Sequence, residues 1–321
     1  MVYDQQKNLI MCVTPLQMLI AEKIIHKFHD YKFDVLIVAL ADNEKYRYYY
    51  KKLEKLSCNS FYYVPKDGFL GFLEYIQILK KNGFAEKYTN CFLASIDSRH
   101  FQYIISKNKN TNIYTFDDGT ANIIKNSVYY TNEKIPSWKK LIWNFIGIDS
   151  YMEDIKKSSR KHYTLYENVS NIIENTEYLK LFECSKSKSE STKKINIYLG
   201  QPLTEISEKF TEQYILNNLN HLNIDYYFPH PREKIIPKGN FEIISTPLIF
   251  EDYIVEYLAQ NIQVRVNIYS YISSALLNLK NTNQVEILYI YDESIKEKYS
   301  TFYCLVAEKF NVTFVHTSNI T

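Results

Sequence analysis

Short apolar runs alternating with helical stretches constrain this chain more than any other feature. Residues 8–13 are almost continuously apolar, as a strand buried on both faces of a parallel sheet must be. Thr14 and Pro15 then supply a helix cap and a first helical residue, and apolar periodicity continues to about Phe28. Residues 33–39, 61–64, 90–95 and 112–116 repeat the strand signal, while 43–56, 68–81 and a short stretch from Ser98 repeat the helical one. Strand alternating with helix over this length predicts a doubly wound, mostly parallel sheet.

The pattern lapses over residues 130–183, where only 137–146 reads as a good helix. Residues 184–194, Cys-Ser-Lys-Ser-Lys-Ser-Glu-Ser-Thr-Lys-Lys, are polar and low in complexity and are expected to be a linker. A second alternating series follows, with strands at 195–199, 224–228, 241–245, 265–269, 285–291 and 312–315. Its helices are expected at 205–219, from about Phe250, from Ser273 and over 294–310. The expectation is therefore two α/β domains, 1–184 and 195–321, without internal repeats. At 321 residues each has enough chain for its own core.

Composition excludes some function classes. A formal charge of +2 is too small to argue for nucleic acid as a partner, and none is expected. The five cysteines lie at 12, 58, 91, 184 and 304, with no CxxC and no ligand-spaced His pair, so neither a disulfide framework nor a structural zinc site is expected. The 30 Tyr and 18 Phe read as coding bias more than as a stacking surface. Residues 1–8 are polar, the apolar run 9–13 is too short for a signal or a membrane span, and no other window reaches membrane length, so a cytoplasmic protein is expected.

Four stretches carry chemistry, each at a strand-to-helix junction, where open α/β sheets place their ligands. Phe228-Pro-His-Pro-Arg232 sets a titratable ring, His230, beside a fixed cation, Arg232, that can fork onto phosphate. Asp117-Asp118-Gly119-Thr120 offers two carboxylates suited to a general base, a hydroxyl-binding group or a metal ligand, although Asp-Gly is also a common turn. Ser273-Ser274 opens a helix and suits phosphate, as well as plain N-capping. Glu251-Asp252 opens another, where a carboxylate can accept ribose hydroxyls or simply face the helix dipole.

In this order the stretches resemble bacterial sialyltransferases of the two-domain GT-B architecture, which share an acidic-Asp-Gly, a His-Pro and a Ser-Ser or Ser-Thr motif. More closely, the chain resembles glycosyltransferase family 52, the lipooligosaccharide sialyltransferases. The resemblance is carried by Asn8-Leu-Ile, Leu16-Gln17-Met18 with Ala21-Glu22, Asn43-Glu-Lys-Tyr46, Leu93-Ala-Ser95 and Thr115-Phe-Asp-Asp-Gly-Thr120. It continues through Leu199-Gly200, His230-Pro-Arg232, Phe250-Glu-Asp-Tyr-Ile254, Ile268-Tyr269, Ser273 and Ala275. It implies a site in the cleft between the domains, with His230 facing the donor phosphate and Glu251 the ribose. Ser273, with Ser274 beside it, would hold the phosphate, and Arg232 and the turn Gly200-Gln201 complete the donor side. It also implies no cofactor beyond the donor substrate, CMP-N-acetylneuraminic acid, a terminal galactose as acceptor, and inversion in one displacement without a metal. Peripheral contact with the inner membrane and a homodimer are both compatible with it.

One departure stands out. Relatives carry an Asp after a Gly-x-Pro turn, whereas here the turn reads Gly200-Gln-Pro-Leu203. The acceptor's base is then expected at Asp117, at Asp118 or at Glu205, or else the chain transfers another sugar. A monophosphate leaving group suits His230, Arg232 and a helix start, which can meet its growing charge without a divalent ion. The competing readings are a GT-B glycosyltransferase with another nucleotide-sugar donor, an epimerase of similar architecture, and a catalytically silent nucleotide-sugar binder.

Overall fold

The computed structural model describes residues 7–84, 87–131, 133–182, 193–310 and 312–316. The chain divides into two compact units, Met1–Leu181 and Phe182–Thr321. Most of the expected linker, 184–194, lies outside the described residues, and its last two lysines already belong to a strand.

The first unit runs β1 (Lys7–Cys12), α1 (Pro15–Lys27), β2 (Lys32–Val38), α2 (Glu44–Glu54), β3 (Asn59–Tyr63), α3 (Gly68–Lys81), β4 (Asn90–Leu93), α4 (Arg99–Lys107) and β5 (Asn112–Phe116). It continues with α5 (Ser137–Ile146), α6 (Met152–Ser158), β6 (Ser159–Thr164) and β7 (Thr176–Tyr178). The sheet order is β3-β2-β1-β4-β5-β6-β7, every pair parallel. Helix α1 starts as the sequence dictates, since the Thr14 hydroxyl accepts from the Gln17 N–H, the Gln17 side chain returns the contact, and Pro15 fills the first position.

Strands β6 and β7 were not expected. β6 reads Ser-Arg-Lys-His-Tyr-Thr, and its polar first half hides a buried second half, His162-Tyr163-Thr164. A strand buried mainly through hydrogen-bonded polar groups gives no apolar period to detect.

The second unit runs β8 (Lys193–Leu199), α7 (Glu212–His221), β9 (Tyr226–Phe228), β10 (Glu242–Ile243), α8 (Phe250–Gln260) and β11 (Val264–Ser270). It closes with α9 (Ala275–Asn278), β12 (Val285–Tyr291), α10 (Glu293–Lys298), α11 (Ser300–Lys309) and β13 (Thr313–His316). Its order, β10-β9-β8-β11-β12-β13, is again wholly parallel. Both sheets reverse strand order at one point, between β1 and β4 and between β8 and β11, and doubly wound sheets open their ligand crevices at such points.

Three helices differ from expectation. α7 begins at a Thr211 cap, after a 3-10 turn at Leu203–Glu205, instead of at Glu205. The stretch 294–310 is two helices, because the Tyr299 backbone leaves the helical region (φ −119°, ψ 35°). α9 has four residues and starts two positions after Ser273. The aromatic content goes largely inward, with Tyr49, Tyr75, Tyr166, Tyr198, Tyr227, Tyr271 and Tyr289 among the largest fully buried side chains. No helix among the described residues is long and apolar enough to cross a membrane.

Candidate active site

In the first unit the C-terminal ends of β1, β4 and β5 lie side by side and deliver Thr14, Ser95 and Asp117-Asp118 to one edge. The two carboxylates then diverge, as successive residues leaving a strand do. Asp117 turns inward and is fully buried. Its Oδ1 meets His162 Nε2 at 2.8 Å and Asn171 Nδ2 at 3.2 Å, and its Oδ2 accepts from the Thr164 hydroxyl at 2.8 Å and the Leu165 N–H at 2.6 Å. This residue ties β5 to β6 and to the loop that follows.

Asp118 turns outward onto a cavity of about 530 Å³, whose walls include Thr14, Ser95, Asp97, His100 and Tyr129. Gln17 Nε2 donates to its Oδ1 at 2.6 Å, and the hydroxyls of Tyr129 and Ser95 donate to its Oδ2 at 2.7 and 3.2 Å. Gln17 is itself pinned, because its Oε1 accepts from the Val13 N–H at 2.6 Å and so fixes the amide with its NH₂ toward Ser95 and Asp118. The turn that carries Asp118 is closed by its own N–H donating to Asn122 Oδ1 at 2.7 Å, with Gly119 in the left-handed region at φ 59°. Two neighbours are tuned by their surroundings. Burial pushes the Asp97 carboxyl up, with the Asp118 charge adding to it. Burial lowers His100 to about 4, the ring lying edge-on to Tyr75 at 4.6 Å. Among the described residues, no three or more His, Cys, Asp or Glu side chains are grouped to hold a metal.

In the second unit the corresponding edge carries Gly200, Gln201, His230 and Ser273. Gln201 bridges the reversal point, its Oε1 accepting from the Ser270 hydroxyl at 2.9 Å and from the N–H groups of Tyr271 and Ile272 at 3.0 Å. Glu233, a residue the sequence did not single out, organises the rest. Its carboxylate accepts from the Gln201 N–H at 2.9 Å, the His230 N–H at 2.7 Å and the Tyr227 hydroxyl at 2.6 Å. Burial pushes Glu233 up, against hydrogen bonds that favour its charged form. A Cβ on Gly200 would sit 2.2 Å from Glu233 Oε2, so this glycine makes room for Glu233.

His230 Nδ1 accepts from the Arg232 N–H at 3.1 Å, which assigns the ring proton to Nε2. The Arg232 guanidinium is exposed, 3.4 Å from Glu205. Glu251 is buried at the start of α8, where its Oε1 accepts from Asn278 of α9 at 2.9 Å. Ser273 and Ser274 are half-buried, and the Ser273 hydroxyl accepts from the Ala275 N–H at 3.3 Å. A four-residue helix has little macrodipole, so any anion held here would rest on hydroxyls and local N–H groups. Leu203, where relatives were expected to have Asp, is 1% exposed and belongs to the core.

The profile of glycosyltransferase family 52 matches residues 32–294. The chain belongs to glycosyltransferase family 52. The chain is similar to a CMP-N-acetylneuraminate:beta-galactoside alpha-2,3-sialyltransferase of Pasteurella multocida (strain Pm70), 34% identical over 308 residues, covering 94% of this chain and 96% of the relative. An N-acetyllactosaminide alpha-2,3-sialyltransferase of Haemophilus influenzae (strain Rd) is 32% identical over 286 residues, 88% of this chain and 91% of that one. Among solved structures, a UDP-glucosyltransferase from Polygonum tinctorium shares the fold at 8% identity and a TM-score of 0.52, over 96% of this chain and 84% of that one. The family 52 resemblance and the GT-B class expected from the sequence both hold, and the chain is a glycosyltransferase.

Gln17, Ser95, Tyr129 and Glu233 are the site residues that sequence reasoning did not assign. Gln17 and Ser95 did lie in stretches that matched the family, and both end at Asp118. Tyr129 and Glu233 gave no signal, because nothing in the order of residues shows which hydroxyl or carboxylate a loop will bring back.

Proposed function

We propose that this family 52 enzyme transfers N-acetylneuraminic acid from its cytidine monophosphate (CMP) donor to a terminal galactose hydroxyl of a bacterial surface glycan, inverting the anomeric carbon without a metal. The observation that carries this reading is the near-full-length similarity to the Pasteurella sialyltransferase. The geometry then suggests the roles. Asp118 takes the proton from the acceptor hydroxyl, which attacks the anomeric carbon as its bond to the phosphate oxygen breaks. Three donors fix the orientation of the carboxylate, and it faces an open cavity, as a base that must reach a substrate requires.

His230 serves the departing CMP. With its proton on Nε2 it donates a hydrogen bond to the phosphate as negative charge grows there. A phosphate of this acidity needs no proton to leave, so a neutral imidazole suffices. Glu233 positions His230 through its N–H, and Glu251, Ser273, Ser274, Gln201 and Arg232 are the groups proposed to hold the nucleotide. A core leucine at 203 leaves no carboxylate there, which favours Asp118 as the base.

Asp118→Asn should lower acceptor-dependent transfer by about two to four orders of magnitude with CMP affinity intact. His230→Ala should lower turnover by about a hundredfold while weakening donor binding much less. Near-wild-type transfer by a folded Asp118→Asn enzyme, together with a dead Glu205→Gln, would move the base to the second unit.

A further inference from the structure

A single contact with Asp118 would not orient a sugar in the cavity of the first unit, and the rest of the lining shows what kind of ligand fits. Val13, Val38, Leu40, Pro65, Ala121 and Val128 give it apolar walls. Among its described lining residues there is no lysine or arginine, while Asp97 and Asp118 contribute carboxylates. Such a lining repels a phosphate or a carboxylate and admits a neutral molecule.

Ser98 and His100, on the same wall, hold polar atoms that the protein itself does not use. Ser98 stands at the N-cap of α4, where a serine ordinarily bonds its hydroxyl to the first turn, yet it makes no such bond. Its carbonyl accepts from the N–H groups of Phe101 and Gln102 at 3.1 and 2.9 Å, so the residue is fixed while its hydroxyl stays unused. His100 follows on the first turn. Its imidazole lies edge-on to Tyr75 at 4.6 Å, with Phe72 at 5.3 Å and Tyr63 at 6.3 Å, and the Tyr75 hydroxyl donates to its backbone carbonyl at 3.1 Å. No described residue hydrogen-bonds either ring nitrogen. Burial lowers the ring to about 4, so near pH 7 it is neutral, with one nitrogen to donate and the other to accept. A sugar hydroxyl donates and accepts in the same way, whereas an anion would call for the charged ring.

We propose that His100 and Ser98 bind the acceptor sugar, hydrogen-bonding galactose hydroxyls other than the one that Asp118 deprotonates. Together with Asp118 they fix the sugar ring, which aligns the attacking oxygen. The inference rests on the reading of this cavity as the acceptor's site.

The test uses the full chain with CMP-N-acetylneuraminic acid and lactose, beside lactose analogues deoxygenated at single galactose hydroxyls. His100→Phe keeps the ring packing and should lower kcat/KM for lactose by about tenfold or more, and Ser98→Ala by about threefold. Neither should lower the melting temperature, and KM for the donor should stay within about twofold of wild type. The pairing of variant with analogue decides. For one deoxy analogue, already poor with the wild type, His100→Phe should cost less than about twofold further, because the hydroxyl it serves is gone. His100→Gln or His100→Asn, which can still donate and accept, should recover part of the loss with lactose. A loosened cavity would depress every analogue alike. Uniform losses across the analogues, or unchanged kcat/KM in a folded, active His100→Phe enzyme, overturn the inference and leave Asp118 untouched. A wild-type enzyme that makes no sialyllactose overturns the sialyl-transfer reading, and this inference with it.

Discussion

Asp117 and Asp118 are neighbours in sequence with opposite surroundings, and the difference is testable by one substitution at each. Asp117→Asn leaves His162, Thr164 and the Leu165 N–H facing an amide in a fully buried position. It should cost about 3 kcal/mol of stability, read from the urea midpoint, as breaking a buried polar network does. Asp118→Asn should cost far less stability and most of the activity. His100 adds a pH dependence. Its folded value, about 4, lies below the ordinary 6.5, so between these pH values the unfolded chain binds a proton that the folded chain does not. Its contribution is complete above about pH 6.5 and is lost as pH falls toward 4, amounting to at most about 3 kcal/mol. The loss of stability between pH 7 and pH 5 should be smaller in His100→Phe. At this scale the sequence was only half legible. Asp-Asp-Gly announced a site, but which carboxylate faces the cavity depends on β6, whose buried half is polar and left no period.

Among the elements, the two reversal points are closed by the same device. A glutamine held by backbone N–H groups, Gln17 in the first unit and Gln201 in the second, spans from the end of one strand to the next. Both follow the first strand of their unit, and both lie in or beside stretches that marked the family, so their place could be read although their partners could not. Gly200 tests the second device. Alanine there must displace Glu233 and with it the N–H contacts that set Gln201 and His230. We expect kcat/KM for the donor to fall by about tenfold or more and stability by about 1–3 kcal/mol. Unchanged kinetics would remove Glu233 from the positioning of His230. Strand and helix order in both units was legible because parallel strands buried on both faces are continuous apolar runs. Helix ends were less so: a Thr211 cap shortened α7, and α9 proved too short for a dipole argument at Ser273.

For the whole molecule, two wholly parallel sheets with one reversal point each give two crevice-forming edges, and every proposed site residue lies on one or the other. On the proposed reading the acceptor's base lies in the first unit and the donor's phosphate is met by the second, with no divalent ion in the chemistry. Incubating the enzyme with CMP-N-acetylneuraminic acid and lactose in excess EDTA tests this most directly, with CMP and sialyllactose measured together. The two are expected in equal amounts, undiminished by the chelator, with little CMP released when lactose is omitted. Loss of both products in EDTA with recovery on adding magnesium or manganese, or no transfer from this donor while another nucleotide sugar is consumed, would contradict it.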